Sequence, residues 1–255
     1  MNIDITLVSK LASIVYEKKR YIYLEAEKMG FDYNDITIID EPNIRCAIFS
    51  KNNNKIIAFR GSDNKPNWLN NFKIKKKQTF KGGVHRGFWE YKNKFIDEIK
   101  MNISQDDNLY LAGHSLGAAL ASLISNNLYE DGYRKIIFGL FIECPNVFNK
   151  RYKRNTKHYN IHRIFVKNNI DMVKRMPPRW LGYTNYSPKD TENCDLIYFN
   201  RKDMAIINPS KTGISLDKLQ TYINPVNWFD TVSDHFIAYV LSLMIKNREI
   251  IEELI

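Results

Sequence analysis

Cysteine is scarce, with three in 255 residues. Cys46, Cys144 and Cys194 form an odd, widely spaced set with no C-x-x-C pair. That spacing argues against a disulfide framework and against a metal site built on them, so they are expected to be reduced packing residues. Long apolar runs are missing too: nowhere do eighteen apolar residues follow one another, so no membrane-spanning helix is expected. The opening MNIDITLVSK lacks the basic and apolar regions of a secretory leader. On these grounds the sequence predicts a soluble, unexported protein, with the cytoplasm favoured. No internal repeat, low-complexity tract or Gly/Ser linker interrupts it, which predicts one domain over 1–255. Histidine is rare as well, with five, so few residues can serve as a general base of that type.

What remains is ordinary globular material. Hydrophobic residues make up 44% and charged residues 26%, which argues against wholesale disorder. A chain of this length buries roughly 70–75% of its unfolded surface, enough for a full core without staples. The formal net charge of +10 has two readings. One is attraction to anionic lipid or nucleic acid. The other is a Lys- and Asn-rich solvated surface. The densest run, Lys73 to Lys77, is five residues long and no nucleic-acid motif accompanies it. The solvated surface is therefore favoured, and no nucleic-acid partner is expected.

Periodicity gives the outline. Thr6–Lys28 places Leu7, Leu11, Ile14, Val15, Ile22 and Leu24 at helical intervals, with Gly30 as a stop. Ile44–Ser50 and Lys55–Arg60 are β-rich runs split by Asn52-Asn53-Asn54, a hairpin signal. Residues 87–103 read as helix, Leu109–Ala112 as a strand, and Leu116–Leu128 as a helix rich in small residues. Lys135–Cys144 and Ile161–Lys167 read as buried strands, Asp195–Arg201 as a further one, and Ser233–Ile245 as a closing helix. Strands alternating with helices predict an α/β fold, with a mostly parallel central sheet flanked by helices. The opening hairpin predicts antiparallel pairing near one edge.

The chemistry centres on Gly113-His114-Ser115-Leu116-Gly117. A random chain of this length shows G-x-S-x-G about one time in ten, so the motif alone says little. Here it follows an apolar strand and opens a helix, the context of a nucleophile elbow. A sharp turn there lifts the Ser115 hydroxyl clear of the sheet. Gly113 and Gly117 leave room where a Cβ would collide, and the helix N-terminus faces a developing oxyanion. The alternative is a tight βα turn whose serine caps the helix.

A serine nucleophile needs a base and an acid, arranged along such folds as Ser, acid, His. His85 and His114 precede Ser115, and His158 and His162 precede the best acid candidate. His235, at the head of the last helix, remains. Asp171 suits the acid, because it follows the strand ending at Lys167 and the loop Asn168-Asn169-Ile170. Asp190, Asp195 and Asp203 are rivals on less strand-like ground.

Several blocks together resemble the class 3 lipase family, the fungal lipase-like group of α/β-hydrolases. They are Ile56–Ser62 (IIAFRGS), Asn67-Trp68, Val84–Phe88 (VHRGF), Gly113–Gly117, Asn169–Asp171, Pro177 and the closing His235. They stand in the family's order over about residues 56–240. The resemblance implies an α/β-hydrolase fold and a lipid or other carboxylic ester as substrate. It also implies that Ser62 donates to the oxyanion, with the Leu116 N–H as second donor. The stretch holding Asn67, Trp68 and Leu69 corresponds to the family's lid. Two departures stand out. Glu143-Cys-Pro-Asn-Val-Phe148 keeps only the Pro and Val of the family's G-x-P-R-V-G-like block. The lid region is polar, with Asp63, Asn64, Lys65, Asn67, Asn70 and Asn71, which predicts weak interfacial activation and favours short or soluble esters. Lys73–Lys77 beyond it offers a contact for an anionic lipid interface.

The expected mechanism is acyl transfer through Ser115, Asp171 and His235, with no metal and no organic cofactor. Two alternatives use the same fold. One is an acyltransferase or thioesterase with the same triad. The other is an inactive module that binds lipid or a partner, against which the three intact triad positions argue.

Overall fold

The computed structural model describes residues 3–61, 75–168, 176–199, 204–208 and 235–252, the side chains of His235 and Phe236 excepted. The chain enters on two helices, α1 (Ile5–Ile14) and α2 (Lys19–Lys28). Asp4 caps the first, its Oδ1 accepting from the Leu7 N–H at 2.7 Å. The periodic pattern read as one helix is thus two. The break at Val15–Lys18 is held by Arg45, whose Nη1 donates to the carbonyls of Val15 at 3.3 Å and Glu17 at 2.6 Å.

An antiparallel meander follows, of β1 (Ile36–Glu41), β2 (Ile44–Lys51) and β3 (Asn54–Arg60). Asn52, at φ 51°, takes the left-handed position of the predicted turn. A separate hairpin pairs β4 (Lys76–Thr79) with β5 (Gly82–His85). Helices and strands then alternate: α3 (Arg86–Met101), β6 (Asn108–His114), α4 (Leu116–Glu130), β7 (Ile136–Ile142), α5 (Lys150–Thr156) and β8 (His162–Asn168). Strands β9 (Cys194–Phe199) and β10 (Ala205–Ile207) and helices α6 (His235–Lys246) and α7 (Arg248–Glu252) complete the described chain.

The eight-stranded sheet runs β1-β2-β3-β6-β7-β8-β9-β10. From β3 through β9 all neighbours are parallel, while β1–β3 and β10 are antiparallel margins. Helices cover both faces. On one, α3, α4 and α5 pack on Ile57, Phe59, Leu111, Phe141, Phe165 and Leu196. On the other, α1, α2, α6 and α7 pack on Ile56, Ala58, Ala112, Leu140, Ile164 and Ile197. Burial on both faces is why these strands read as continuous apolar runs rather than alternating ones. Cys46, Cys144 and Cys194 are buried, free thiols, as their spacing led us to expect.

Helix α6 packs beside α1, and α7, which follows it, is tied to the start of α1 by Arg248 Nη2 and Asp4 Oδ2 at 3.3 Å. His235 is the first residue of α6.

Candidate active site

Between Leu109 and Asn126 every residue is buried except Ser115, which keeps partial access to solvent. It stands where β6 ends and α4 begins, with φ 56° and ψ −121°. A non-glycine residue there is strained by about 1–3 kcal/mol, which the surroundings must hold in place. They do so through the backbone: Ser115 N donates to the Ile142 carbonyl at 2.9 Å, and Ala119 N donates to the Ser115 carbonyl at 3.2 Å. A serine acting as a helix cap would accept from an N–H two or three residues on. Ser115 makes no such side-chain bond.

The flanking glycines are dictated by contact. A Cβ on Gly113 would stand 2.4 Å from the Gly117 carbonyl group, and one on Gly117 would stand 2.2 Å from the Phe59 carbonyl oxygen. Both obstacles are backbone and cannot swing aside. The elbow therefore touches the end of β3 directly. Gly61 completes this contact: a Cβ there would meet the Tyr16 hydroxyl at 2.9 Å, the His114 carbonyl oxygen at 3.1 Å and the Leu116 nitrogen at 3.6 Å. Leu116 opens α4, and first-turn N–H groups have no partner within their own helix. The end of β3 thus faces the first N–H of α4, where an oxyanion would be held.

Tyr16 ties these pieces together. Its hydroxyl accepts from Gly61 N at 2.9 Å, lies 3.0 Å from His114 Nδ1 and donates to the His114 carbonyl at 3.4 Å. One phenol thus bridges the residue before Ser62 and the residue before Ser115. It comes from the break between α1 and α2, where the periodic pattern gave no reason to look.

A family model described as Lipase (class 3) matches residues 56–180, the span that holds β3, the elbow and β7–β8. Secreted mono- and diacylglycerol lipase A of Penicillium cyclopium is 29% identical over 179 residues, covering 63% of this chain and 55% of that protein. Secreted mono- and diacylglycerol lipase 1 of Fusarium solani is 31% identical over 144 residues, covering 52% and 42%. Residues 56–180 thus carry the class 3 lipase family's sequence. It spans about half the length of the curated relatives it matches. The crystal structure of the mono- and diacylglycerol lipase from Aspergillus oryzae shares the fold, with a TM-score of 0.61 at 18% identity, covering 87% of this chain and 96% of that one. The fold is that of the α/β-hydrolases, as expected. The expected cytoplasmic, unexported placement is corrected: the fungal relatives are secreted lipases. No helix among the described residues is long and apolar enough to cross a membrane.

Within this lipase-family site the remaining residues sort by position. Ser115, Leu116 and the approach to Ser62 come together, while Ser62 and Asp171 lie outside the described residues. So does the polar lid region, with Asn67, Trp68 and Leu69. His235 opens α6, and its imidazole lies outside them as well. Strand β8 ends at Asn168, two residues beyond Val166, which is level with Ile142 and so with His114. The segment that carries Asp171 therefore leaves from the same edge of the sheet as Ser115.

Its rivals are elsewhere. Asp195 pairs with His162, Nε2 to Oδ2 at 2.6 Å, and its partner in the sheet is Ile164, two residues before Val166. Three strand spacings and two residues put it about 16 Å from His114 at the elbow. Asp190 takes the Lys153 ammonium at 2.9 Å and the Ser187 hydroxyl at 2.6 Å. Asp203 lies outside the described residues. Of the other histidines, His114 is engaged by Tyr16 and His158 is exposed against Tyr159. His85 caps α3 and packs on Phe88 and Tyr183, and burial pushes its imidazole down to about 4.

Besides Tyr16, a second site-supporting residue escaped the sequence reading. Glu143 is fully buried at φ 49°, directly after β7. Its N–H donates to the Val166 carbonyl at 2.9 Å, and its Oε1 accepts from the Asn168 N–H. It thus braces the base of the segment leading to Asp171. The signal was present as a lone acidic residue closing the apolar run Ile136–Cys144.

Proposed function

We propose that this chain is a single-domain serine carboxylic-ester hydrolase of lipid esters, with Ser115 as nucleophile, His235 as base and Asp171 as the acid that orients it. The observation that carries this is Ser115 itself: strained, uncapped and the one accessible residue in a buried segment, with Gly61 set against the Leu116 nitrogen. His235 takes the Ser115 proton as Oγ attacks the ester carbonyl. The oxyanion is held by the N–H of Leu116 and by Ser62. Collapse gives an acyl-enzyme and releases the alcohol, to which His235 returns the proton. Water, activated by the same base, then frees the acid.

Mono- and diacylglycerols are the first substrates to try, after the printed activity of the fungal relatives, and placement outside the cell follows the same relatives. No residue of the mechanism calls for a metal or an organic cofactor. The test is hydrolysis of p-nitrophenyl esters from acetate to palmitate, and of monoacylglycerol, by wild type and Ser115→Ala. Activity lost in the variant supports the reading. A well-folded wild type that cleaves no ester and takes up no fluorophosphonate at Ser115 refutes it and leaves an inactive module.

A further inference from the structure

The surface beside α5 carries charge of one sign. Lys150, Arg151, Arg154 and Lys157 are exposed on this helix and its C-cap, and His158 is exposed next to them. Among the described residues none of the four cations has a carboxylate within ion-pair reach. The ion pair this helix does make, Lys153 with Asp190 at 2.9 Å, uses its less exposed side. Of the bordering acids, Asp190 is taken up in that way and Glu130 accepts from the Tyr159 hydroxyl at 2.8 Å.

Against this helix turns the β4–β5 hairpin, and its tip presents Phe80 with 78% of its surface exposed. The tip is pinned. Asn155 Nδ2 donates to the Lys81 carbonyl at 2.8 Å, and Thr79 Oγ1 donates to the Gly82 carbonyl at 2.8 Å. Gly82 lies so close that a Cβ would stand 2.4 Å from the Tyr152 nitrogen. Lys81 adds a fifth cation, its Nζ 4.9 Å from the Phe80 ring centre and 5.7 Å from that of Tyr159. A phenyl ring held in water forgoes the gain from burial unless something covers it. Five cations with one protruding aromatic match an anionic membrane surface: the cations meet headgroups, and the ring enters the boundary below them.

The Lys73–Lys77 run is a poorer candidate. Lys76 is spent internally, its Nζ donating to the Leu181 carbonyl at 2.6 Å and lying 4.7 Å over the Tyr183 ring.

We propose that α5 and the Phe80 turn form a docking face for anionic lipid bilayers, an inference that rests on the lipid-ester reading above for its biological sense but not for its test. The full chain is co-sedimented with phosphatidylcholine vesicles with and without about 30% phosphatidylglycerol, in low salt. Binding is expected to the anionic vesicles and to weaken steeply at about 0.5 M salt. Each basic residue at such a surface is worth about fivefold in partitioning, so Arg151→Gln/Arg154→Gln/Lys157→Gln should lose about 100-fold. Phe80→Ser should lose about tenfold on the same vesicles while leaving binding to a DNA duplex unchanged. Both variants should hydrolyse a soluble p-nitrophenyl ester like the wild type, because neither touches the elbow. A triple variant that binds like wild type overturns the proposal. So does a Phe80→Ser variant without effect on vesicles, which would make the face a general polyanion surface. Vesicle binding by a protein that cleaves no ester would keep the docking face and remove the hydrolase reading.

Discussion

Tyr16→Phe removes a single oxygen and leaves the ring. That oxygen accepts the Gly61 N–H at 2.9 Å and meets His114 Nδ1 at 3.0 Å, so both sides of the proposed oxyanion site lose their common support. Gly61 is buried, and among the described residues its N–H has no acceptor but the Tyr16 hydroxyl. Leaving a buried donor unpaired costs about 1–3 kcal/mol. For a domain of this size each kcal/mol lowers Tm by about 2–4 °C. The catalytic effect is separable. Removing an oxyanion donor outright costs about 100- to 1000-fold in kcat, and displacing one by a fraction of an ångström should cost less, about 10- to 100-fold. KM should hardly move, because the hydroxyl faces backbone and His114. Steady-state kinetics on a soluble ester, with a thermal melt of both proteins, read the two effects apart. A lowered Tm with unchanged kcat would make Tyr16 a stabilising residue only. A raised KM with unchanged kcat would place it against substrate. Either result refutes the argument that it positions the donors.

Three further outcomes follow from the same geometry. Gly117→Ala drives a Cβ to 2.2 Å from the Phe59 carbonyl oxygen, with only backbone to yield. It should destabilise by about 1–3 kcal/mol or more, read in a urea titration, and lower fluorophosphonate labelling of Ser115. His85 is buried with its pKa lowered to about 4, so below about pH 6.5 the unfolded chain takes up a proton that the folded chain refuses. Its contribution is fully present above that pH. It falls by about 1.4 kcal/mol per unit down to about pH 4, roughly 3 kcal/mol in all. A melt series on wild type and His85→Asn should show the variant with the shallower slope there, and equal slopes would rule out His85 as the source. Asp195→Asn breaks the pair with His162 far from the elbow and should leave ester hydrolysis within about twofold, whereas removal of a true triad acid costs about 10⁴-fold.

Much of this arrangement was legible from residue order. The elbow, the alternation of apolar strands with helices, the opening hairpin and the closing helix at His235 all followed from periodicity and turn chemistry. What escaped did so for physical reasons. Strands β4 and β5 lie outside the main sheet, and Lys76–Thr79 has no apolar member to betray a strand. Helix α5 is seven residues long and buries only Tyr152 and Thr156, too little to produce a stripe. The break between α1 and α2 is imposed from outside, by Arg45 on β2, and no local pattern encodes a partner thirty residues away. Asp195 remained a rival acid because its distance from Ser115 is a property of strand order, which a linear reading does not supply. Glu143 was passed over as a departure from a family block, although a carboxylate closing a buried strand needs a donor. That donor proved to be the backbone that leads toward Asp171.

The placement of the cysteines bears on where such a protein can be made. Cys46 and Cys194 sit on β2 and β9, five strand spacings or about 24 Å apart, and Cys144 follows β7, two or more spacings from either. A bridge needs Cα atoms within about 7 Å, so no two of the three can join without dismantling the sheet. Burial also raises all three thiol pKa values, that of Cys194 to about 12, which suppresses the thiolate on which exchange depends. The folded chain is therefore blind to redox potential. It needs no oxidising compartment to mature and no reducing one to stay intact, and sulfur chemistry exposes it to neither scrambling nor dimerisation on either side of a membrane.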